Sequence, residues 1–243
     1  MLSFIVPAYN EAFELPGALR AIRVAAEATG EPYEVIVVDD DSDDATAELA
    51  RAAGARVVHV HRRQIAAVRN AGAAAATGDT FFFVDADTLI THVHVTTGLE
   101  ALAGGCSGGS ARIVLDARVP LWARIFLRVF AALYFGSNLG AGAFMFMRRE
   151  NFEAVGGFDE QYFAGEEMYL SRALKTLGRF TILRDPVTTS ARKVRMHSGW
   201  HVLRQWFSLL FRGEEGLRRR DGLELWYDGK REQVGYEKTG GAG

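Results

Sequence analysis

One cysteine, Cys106, stands in 243 residues. A lone thiol excludes an intrachain disulfide framework and a cysteine zinc cluster, and it suits the cytosol, where we expect the chain to reside. Charge of one sign is missing too: 28 lysines and arginines against 30 aspartates and glutamates leave a formal charge of -2. Such a chain has no bulk field to draw nucleic acid, so no nucleic-acid partner is expected and any anionic ligand must be held by a local site. No window reaches the ~20 uninterrupted apolar residues that a spanning helix needs. The richest stretch, Val119 to Phe135, is broken by Arg124 and Arg128. The segment Met1 to Pro7 has no basic leader and runs straight into a strand-like pattern, so it does not read as a signal peptide. Two phosphate-binding signatures are absent as well. No Gly-x-Gly-x-x-Gly follows the first apolar run, and there is no Gly-Lys-Ser/Thr loop.

What is present is a hydrophobic content of 49%, enough for one large α/β domain or one domain with a helical appendage. Apolar runs predict strands at Leu2 to Pro7, Tyr33 to Val38, Arg56 to Val60 and Thr80 to Val84, alternating with helices at Ala12 to Thr29, Ala45 to Ala53 and Gln64 to Ala76. That alternation argues for a mostly parallel sheet covered on both faces. Beyond residue 87 we expect a helix over Val93 to Ala103, strands over Gly108 to Asp116 and Gly142 to Arg148, and a turn at Gly156-Gly157. A helix over Glu166 to Leu177 and a short strand over Phe180 to Leu183 follow. Leu121 to Phe135 and Trp200 to Phe211 read as amphipathic helices, and residues 231–243 as a disordered tail.

The run Thr80-Phe81-Phe82-Phe83-Val84 ends in Asp85-Ala86-Asp87, at the carboxyl end of a buried strand, where open α/β sheets hold their ligands. Alternate residues of an extended chain point to opposite sides, so the two carboxylates share one side only if the backbone stays extended past Val84. A divalent cation bridging them to a diphosphate would remove their repulsion, because hard cations take carboxylate and phosphate oxygens together. A solvated turn or a helix cap would use the same residues.

Pro7-Ala8-Tyr9-Asn10-Glu11, Val37-Val38-Asp39-Asp40-Asp41-Ser42, Arg69-Asn70-Ala71-Gly72, Asp85-Ala86-Asp87, Gly156-Gly157-Phe158-Asp159-Glu160 and Gly165-Glu166-Glu167 occur in that order. Together they closely resemble the family 2 glycosyltransferases of the GT-A fold, across about residues 1–183. The resemblance implies an α/β nucleotide-diphospho-sugar transferase domain over residues 1–190, with a C-terminal helical extension over residues 191–230. It also implies a UDP- or GDP-linked sugar donor and Mg²⁺ or Mn²⁺ as cofactor. Donor contacts would fall on Pro7, Ala8, Tyr9, Glu11, Asp40, Arg69, Asp85 and Ala86. Side-chain chemistry agrees: Tyr9 offers a face for a base, and Asp40 an acceptor for the imino N–H of uracil or guanine. Glu11 and Asp85 can accept ribose hydroxyls, while Arg69 is a bidentate donor for the diphosphate. Asp87 would meet the metal, and His197 is a candidate third ligand. Similar enzymes carry Glu-Asp where Glu166-Glu167 stands, with the second carboxylate deprotonating the acceptor hydroxyl. Glu167 is therefore the expected base and Glu166 its neighbour or substitute, although both would also suit a helix amino terminus.

One displacement at C1 would invert the anomeric centre. Processive relatives carry Gln-x-x-Arg-Trp, whereas the nearest string here is Arg204-Gln205-Trp206, so one sugar per encounter is expected. Two rival functions make different demands on the sequence. A sugar nucleotidyltransferase should begin with a glycine-rich basic loop, which Pro7 to Glu11 is not; a non-catalytic nucleotide-sugar binding module would have no use for the carboxylates at 85, 87 and 167. Tryptophan and arginine at the margins of the two amphipathic segments, with Arg218-Arg219-Arg220 following, suggest peripheral contact with the inner face of a membrane and a lipid-linked acceptor.

Overall fold

The computed structural model describes residues 1–116, 134, 136–192 and 216–218. In chain order the elements are β1 (Leu2–Ala8), α1 (Leu15–Glu27), β2 (Tyr33–Asp39), α2 (Thr46–Ala52), β3 (Arg56–His59), α3 (Ile65–Ala75), β4 (Thr80–Val84), β5 (Thr88–Leu89) and α4 (His92–Ala103). They continue as β6 (Cys106–Leu115), β7 (Phe144–Arg148), α5 (Arg149–Ala154), α6 (Glu166–Leu177) and β8 (Arg179–Thr189). The eight strands form one sheet in the order β3-β2-β1-β4-β7-β6-β8-β5.

β1 and β4 are buried along their whole length, which is why they read as unbroken apolar runs rather than alternating ones. Their side chains feed two cores. Phe4, Phe82, Phe144 and Phe146 pack on one face of the sheet with Leu15, Leu19 and Ile22 of α1. On the other, Ile5, Phe81 and Phe83 pack with Phe152 of α5, Phe158 and Leu170 of α6. Each such aromatic or aliphatic side chain contributes about 1.5–3 kcal/mol by leaving water.

Four of the seven strand pairings are parallel and three antiparallel. β1 runs parallel to both β2 and β4, but β7 lies antiparallel between β4 and β6. The expected short strand Phe180 to Leu183 is in fact an eleven-residue strand reaching Thr189. Its pairing with β6 slips between Ala111 and Ile113, and that irregularity takes up Arg184, Asp185 and Pro186, a tripeptide that reads as a turn in isolation. β5 and α5 were not anticipated. α1 begins three residues later than expected, with Pro16 in its first turn, where a missing N–H does no harm.

The chain moves from β1 to β2 and β3 on one side, then returns to place β4 on the other side of β1. Ligands of open α/β sheets bind at such a reversal, beyond the carboxyl ends of the strands. Tyr9 to Glu11, Asp39 to Asp41 and Asp85 to Asp87 all follow those ends. The amphipathic segments Leu121 to Phe135 and Trp200 to Phe211, His197, Arg204-Gln205-Trp206, the tail and most of the proposed extension lie outside the described residues, apart from Tyr134 and residues 191, 192 and 216–218. Of these, Leu217 accepts the amide of Phe163 through its carbonyl at 2.8 Å.

Candidate active site

Backbone amides and short side chains tie the loops after β1, β2 and β3 together. The Asn10 amide donates to Ser42 Oγ at 2.9 Å, and the Asp43 amide to Asn10 Oδ1 at 3.0 Å. Asp44 accepts the amides of Thr46, the first residue of α2, and Ala12. Asn10, Asp41 and Arg63 all have positive φ, at 53°, 62° and 51°. Non-glycine residues adopt that conformation at a cost, and such strain clusters at binding sites.

Asp40 is buried, and its two oxygens accept the amides of Arg62 at 2.7 Å and Arg63 at 2.8 Å. Each oxygen keeps a second lone pair for a ligand N–H. The Arg63 guanidinium lies 3.9 Å from the centroid of the Tyr9 ring, stacked on the aromatic side chain expected to receive a base. Arg63 was not among the sequence candidates; only its basic dipeptide context, Arg62-Arg63, hints at it.

Arg69 is 2% exposed, and its position is set from four sides. Nη2 donates to Asp85 Oδ1 at 2.8 Å and to the Gly142 carbonyl at 3.0 Å, while Nη1 donates to Glu166 Oε1 at 2.5 Å. Phe158 lies 5.3 Å from its guanidinium carbon. Burial disfavours its charge, but Asp85 and Glu166 more than compensate and hold the guanidinium charged. The bidentate donor expected to face a diphosphate thus bridges two carboxylates here. Gly142 makes room for it: a Cβ there would lie 2.8 Å from Arg69 Nη2.

Glu166 and Glu167 open α6 behind Gly165, which caps the helix at φ 76°, a left-handed conformation that favours glycine. Glu166 is buried and its carboxyl is raised above the ordinary range, by desolvation first. Glu167 is partly exposed. Its carboxyl is pushed up to about 8 by burial, then by the charge of Glu166, with Arg69 pulling the other way. Tyr134 hydrogen-bonds to Glu167 and donates to the Gly140 carbonyl at 2.8 Å. This tyrosine was hidden in an apolar stretch, where nothing marked it as a site residue.

Asp85 and Asp87 do not act as one pair. The chain turns after β4, with the Thr88 amide donating to the Asp85 carbonyl at 3.0 Å, so the extended backbone required for a shared side ends at Val84. Asp85 meets Arg69. Asp87 Oδ1 accepts from Thr189 Oγ1 at 3.2 Å, and its Oδ2 lies 3.4 Å from Arg192 Nη2. Arg192 also holds Glu11 through two bonds of 2.5 Å, so the carboxylate expected to accept ribose hydroxyls is paired with an arginine. Among the described residues no three carboxylate, histidine or cysteine side chains are grouped to hold a metal ion. Pro7, Ala8 and Ala86 lie at the same edge, buried and supplying backbone; the Ala8 carbonyl accepts the Asp40 amide at 2.9 Å.

Beyond its strand ends the sheet gathers an acidic turn, a strained loop cluster and a glutamate pair, and the chain shares this α/β architecture with GT-A glycosyltransferases of known structure. The model of glycosyl transferase family 2 matches residues 3–156, and the chain belongs to that family. Among solved structures, the mannosyltransferase PcManGT from Pyrobaculum calidifontis, in complex with GDP-Man and Mn²⁺, aligns with TM-score 0.65 at 23% identity, covering 84% of this chain and 59% of that one. TarS 1-349 from S. aureus aligns with TM-score 0.59 at 17% identity over 89% of this chain and 68% of that one. A TarS complex with UDP-GlcNAc gives 0.58 at 19% identity, over 79% of this chain and 58% of that one. These likenesses establish the GT-A fold. By sequence, the undecaprenyl-phosphate 4-deoxy-4-formamido-L-arabinose transferase of Pseudomonas paraeruginosa is 35% identical over 95 residues, 36% of this chain. The namesake from Salmonella paratyphi B is 36% identical over 90 residues, 37% of this chain. The matched stretch spans just over a quarter of those relatives, 28% and 27% respectively.

Proposed function

We propose that the chain moves a single sugar from a nucleotide-diphosphate sugar to an acceptor, with inversion at C1. The observation that carries this reading is the Asp85–Arg69–Glu166 bridge beside Glu167. It joins the edge where a donor diphosphate belongs to an acid whose carboxyl, at about 8, is matched to proton abstraction near neutral pH. Glu167 takes the proton of an acceptor hydroxyl as its oxygen attacks C1 opposite the leaving diphosphate. Glu166, fixed by Arg69, keeps the pair in place. Tyr9 and Asp40 receive the base. The rival nucleotidyltransferase and binding-module readings have no role for that acid pair.

Asp87 provides hard oxygen donors of the kind Mg²⁺ and Mn²⁺ prefer, and the donor set fits such an ion provided that diphosphate oxygens and water fill the remaining positions. Bound there, the ion would supply charge compensation to the leaving diphosphate. The PcManGT complex, which contains Mn²⁺ and GDP-Man, supports a UDP- or GDP-linked donor with a divalent cation. His197 remains a proposed further ligand.

The relatives named for undecaprenyl phosphate favour a second reading of the acceptor, a polyprenyl phosphate. Its phosphate oxygen is already ionised and needs no base. Phe13 and Leu89, exposed at 63% and 45%, lie with Asp87 on one groove and suit an acceptor carried on a lipid. No helix among the described residues is long and apolar enough to cross a membrane; a lipid-carried acceptor is the ground on which we place the enzyme peripherally on the inner membrane face. The test is release of UDP or GDP from a panel of nucleotide sugars, with hydroxyl and polyprenyl-phosphate acceptors, in Mn²⁺ and in excess chelator. Transfer that is lost in chelator and restored by Mn²⁺ or Mg²⁺ supports the reading. Binding without turnover of any donor overturns it.

A further inference from the structure

Arg192 follows β8 and is 7% exposed, deep for a guanidinium, and no sequence motif marks it. Its two terminal nitrogens grip the two oxygens of Glu11 at 2.5 Å each, and one of them stands 3.4 Å from Asp87 Oδ2. The segment that carries it is anchored. Thr189 Oγ1 donates to Asp87, the Ser190 amide to the Asp87 carbonyl, Ser190 Oγ to Glu14 Oε1 and the Ala191 amide to Asp116 Oδ1. Around the Arg192 guanidinium lie Glu11, Asp87 and, more distantly, Glu14, whose charges outweigh the cost of its burial. The bidentate arm to Glu11 is the strong one; the arm to Asp87 is longer and is the one that can be released.

We propose that Arg192 is a resident counter-cation of the donor site, which compensates Asp87 when the site is empty and restricts a divalent cation to entering with a nucleotide diphosphate. This rests on the reading of Asp87 as the residue facing metal and diphosphate. A divalent ion arriving alone would have to approach an arginine already seated at its only described carboxylate ligand, and in a half-buried setting two cations repel strongly. A nucleotide diphosphate brings the negative charge that lets both stay. Metal and donor therefore bind in a linked order, imposed by one side chain from the far end of the domain.

The experiment measures Mn²⁺ uptake by the full chain without nucleotide, through the electron paramagnetic resonance signal of free Mn²⁺, so that no turnover is needed. The wild type takes up no stoichiometric Mn²⁺. Arg192→Gln raises Mn²⁺ affinity by at least about tenfold, because one competing charge is removed. Asp87→Asn in that background returns it to the wild-type level. Arg192→Lys, the variant best able to fold, gives a smaller rise, since one ammonium cannot serve both Glu11 oxygens and Asp87. Stoichiometric uptake by the wild type, unchanged affinity in the folded variants, or a gain that survives Asp87→Asn overturns the proposal. If UDP and GDP both fail to bind the wild type, the donor-site reading falls instead, and the Mn²⁺ comparison still reports on Arg192.

Discussion

Glu167 carries the sharpest prediction at the residue scale, because its carboxyl sits near 8 rather than at the ordinary 4.5. A base must be unprotonated, so kcat/KM should rise with pH towards that value and then level off. Glu167→Gln should lower turnover with a hydroxyl acceptor by roughly 10²–10⁴-fold and remove that limb, with donor affinity unchanged by calorimetry. A nearly normal Glu167→Gln enzyme with a dead Glu166→Gln would move the base by one residue. Both near normal with a polyprenyl phosphate would establish the acceptor that needs no base. The stability sign is also set. A carboxyl raised in the folded state binds its proton more tightly there than in the unfolded chain, so its contribution declines as pH climbs from about 4.5 to about 8. Glu167→Gln should flatten the melting temperature over that window. Asp40→Ala should weaken nucleotide binding by about 1–3 kcal/mol, the usual penalty when a buried donor loses its acceptor; unchanged affinity would move the base site elsewhere. The side chains named here were legible in the sequence as chemistry, but their partners were not. Arg69 read as a phosphate donor because nothing in Arg69-Asn70-Ala71-Gly72 shows that Glu166, 97 positions on, will be its partner. Arg192 was invisible for the same reason, since its bonds to Glu11 cross 181 positions.

Elements were read best where the period was clean. The expected α6 matches its observed bounds, and β4 likewise, because a helix with a glycine on either side and a fully buried strand each carry their own signal. β8 was cut short at Leu183, since its second half depends on a bulge against β6 that no local pattern announces. That half matters to the site, for it delivers Thr189 and Ser190 to Asp87 and then Arg192 to Glu11. Gly142, just ahead of β7, shows how closely an element is fitted to a functional side chain. Gly142→Ala would put a Cβ 2.8 Å from Arg69 Nη2 and force the guanidinium off Asp85 or the loop off the sheet. Overpacking of this kind typically costs about 1–3 kcal/mol. We expect a lower denaturant midpoint together with a fall in turnover. A variant with both unchanged would show that the Arg69 bridge tolerates displacement and is not what positions Glu166.

On the scale of the whole molecule, α/β class, the succession of strands and helices up to β4 and the edge carrying the site followed from alternating runs and acidic turns; the spatial order of the strands and the antiparallel insertion of β7 did not, because period alone gives neither neighbour nor direction. In the sequence, Trp122, Ile125, Phe126, Val129, Phe130 and Leu133 recur at helical spacing, as do Trp200, Leu203, Trp206, Phe207 and Leu210, with arginines off the stripes. Such stripes serve as core in most proteins, and equally as faces that lie in a bilayer interface with basic residues towards anionic lipid. The described domain already exposes Phe13 and Leu89 in the groove that holds Asp87, which puts apolar surface beside the proposed chemistry. We therefore expect the full chain to float with vesicles containing anionic lipid at low salt, and to be released in part at high salt as the screened basic residues let go. Retention at the bottom of the gradient in both conditions would mark an enzyme for a soluble acceptor. In that case the hydroxyl reading of Glu167 stands alone, and the polyprenyl-phosphate reading loses its support.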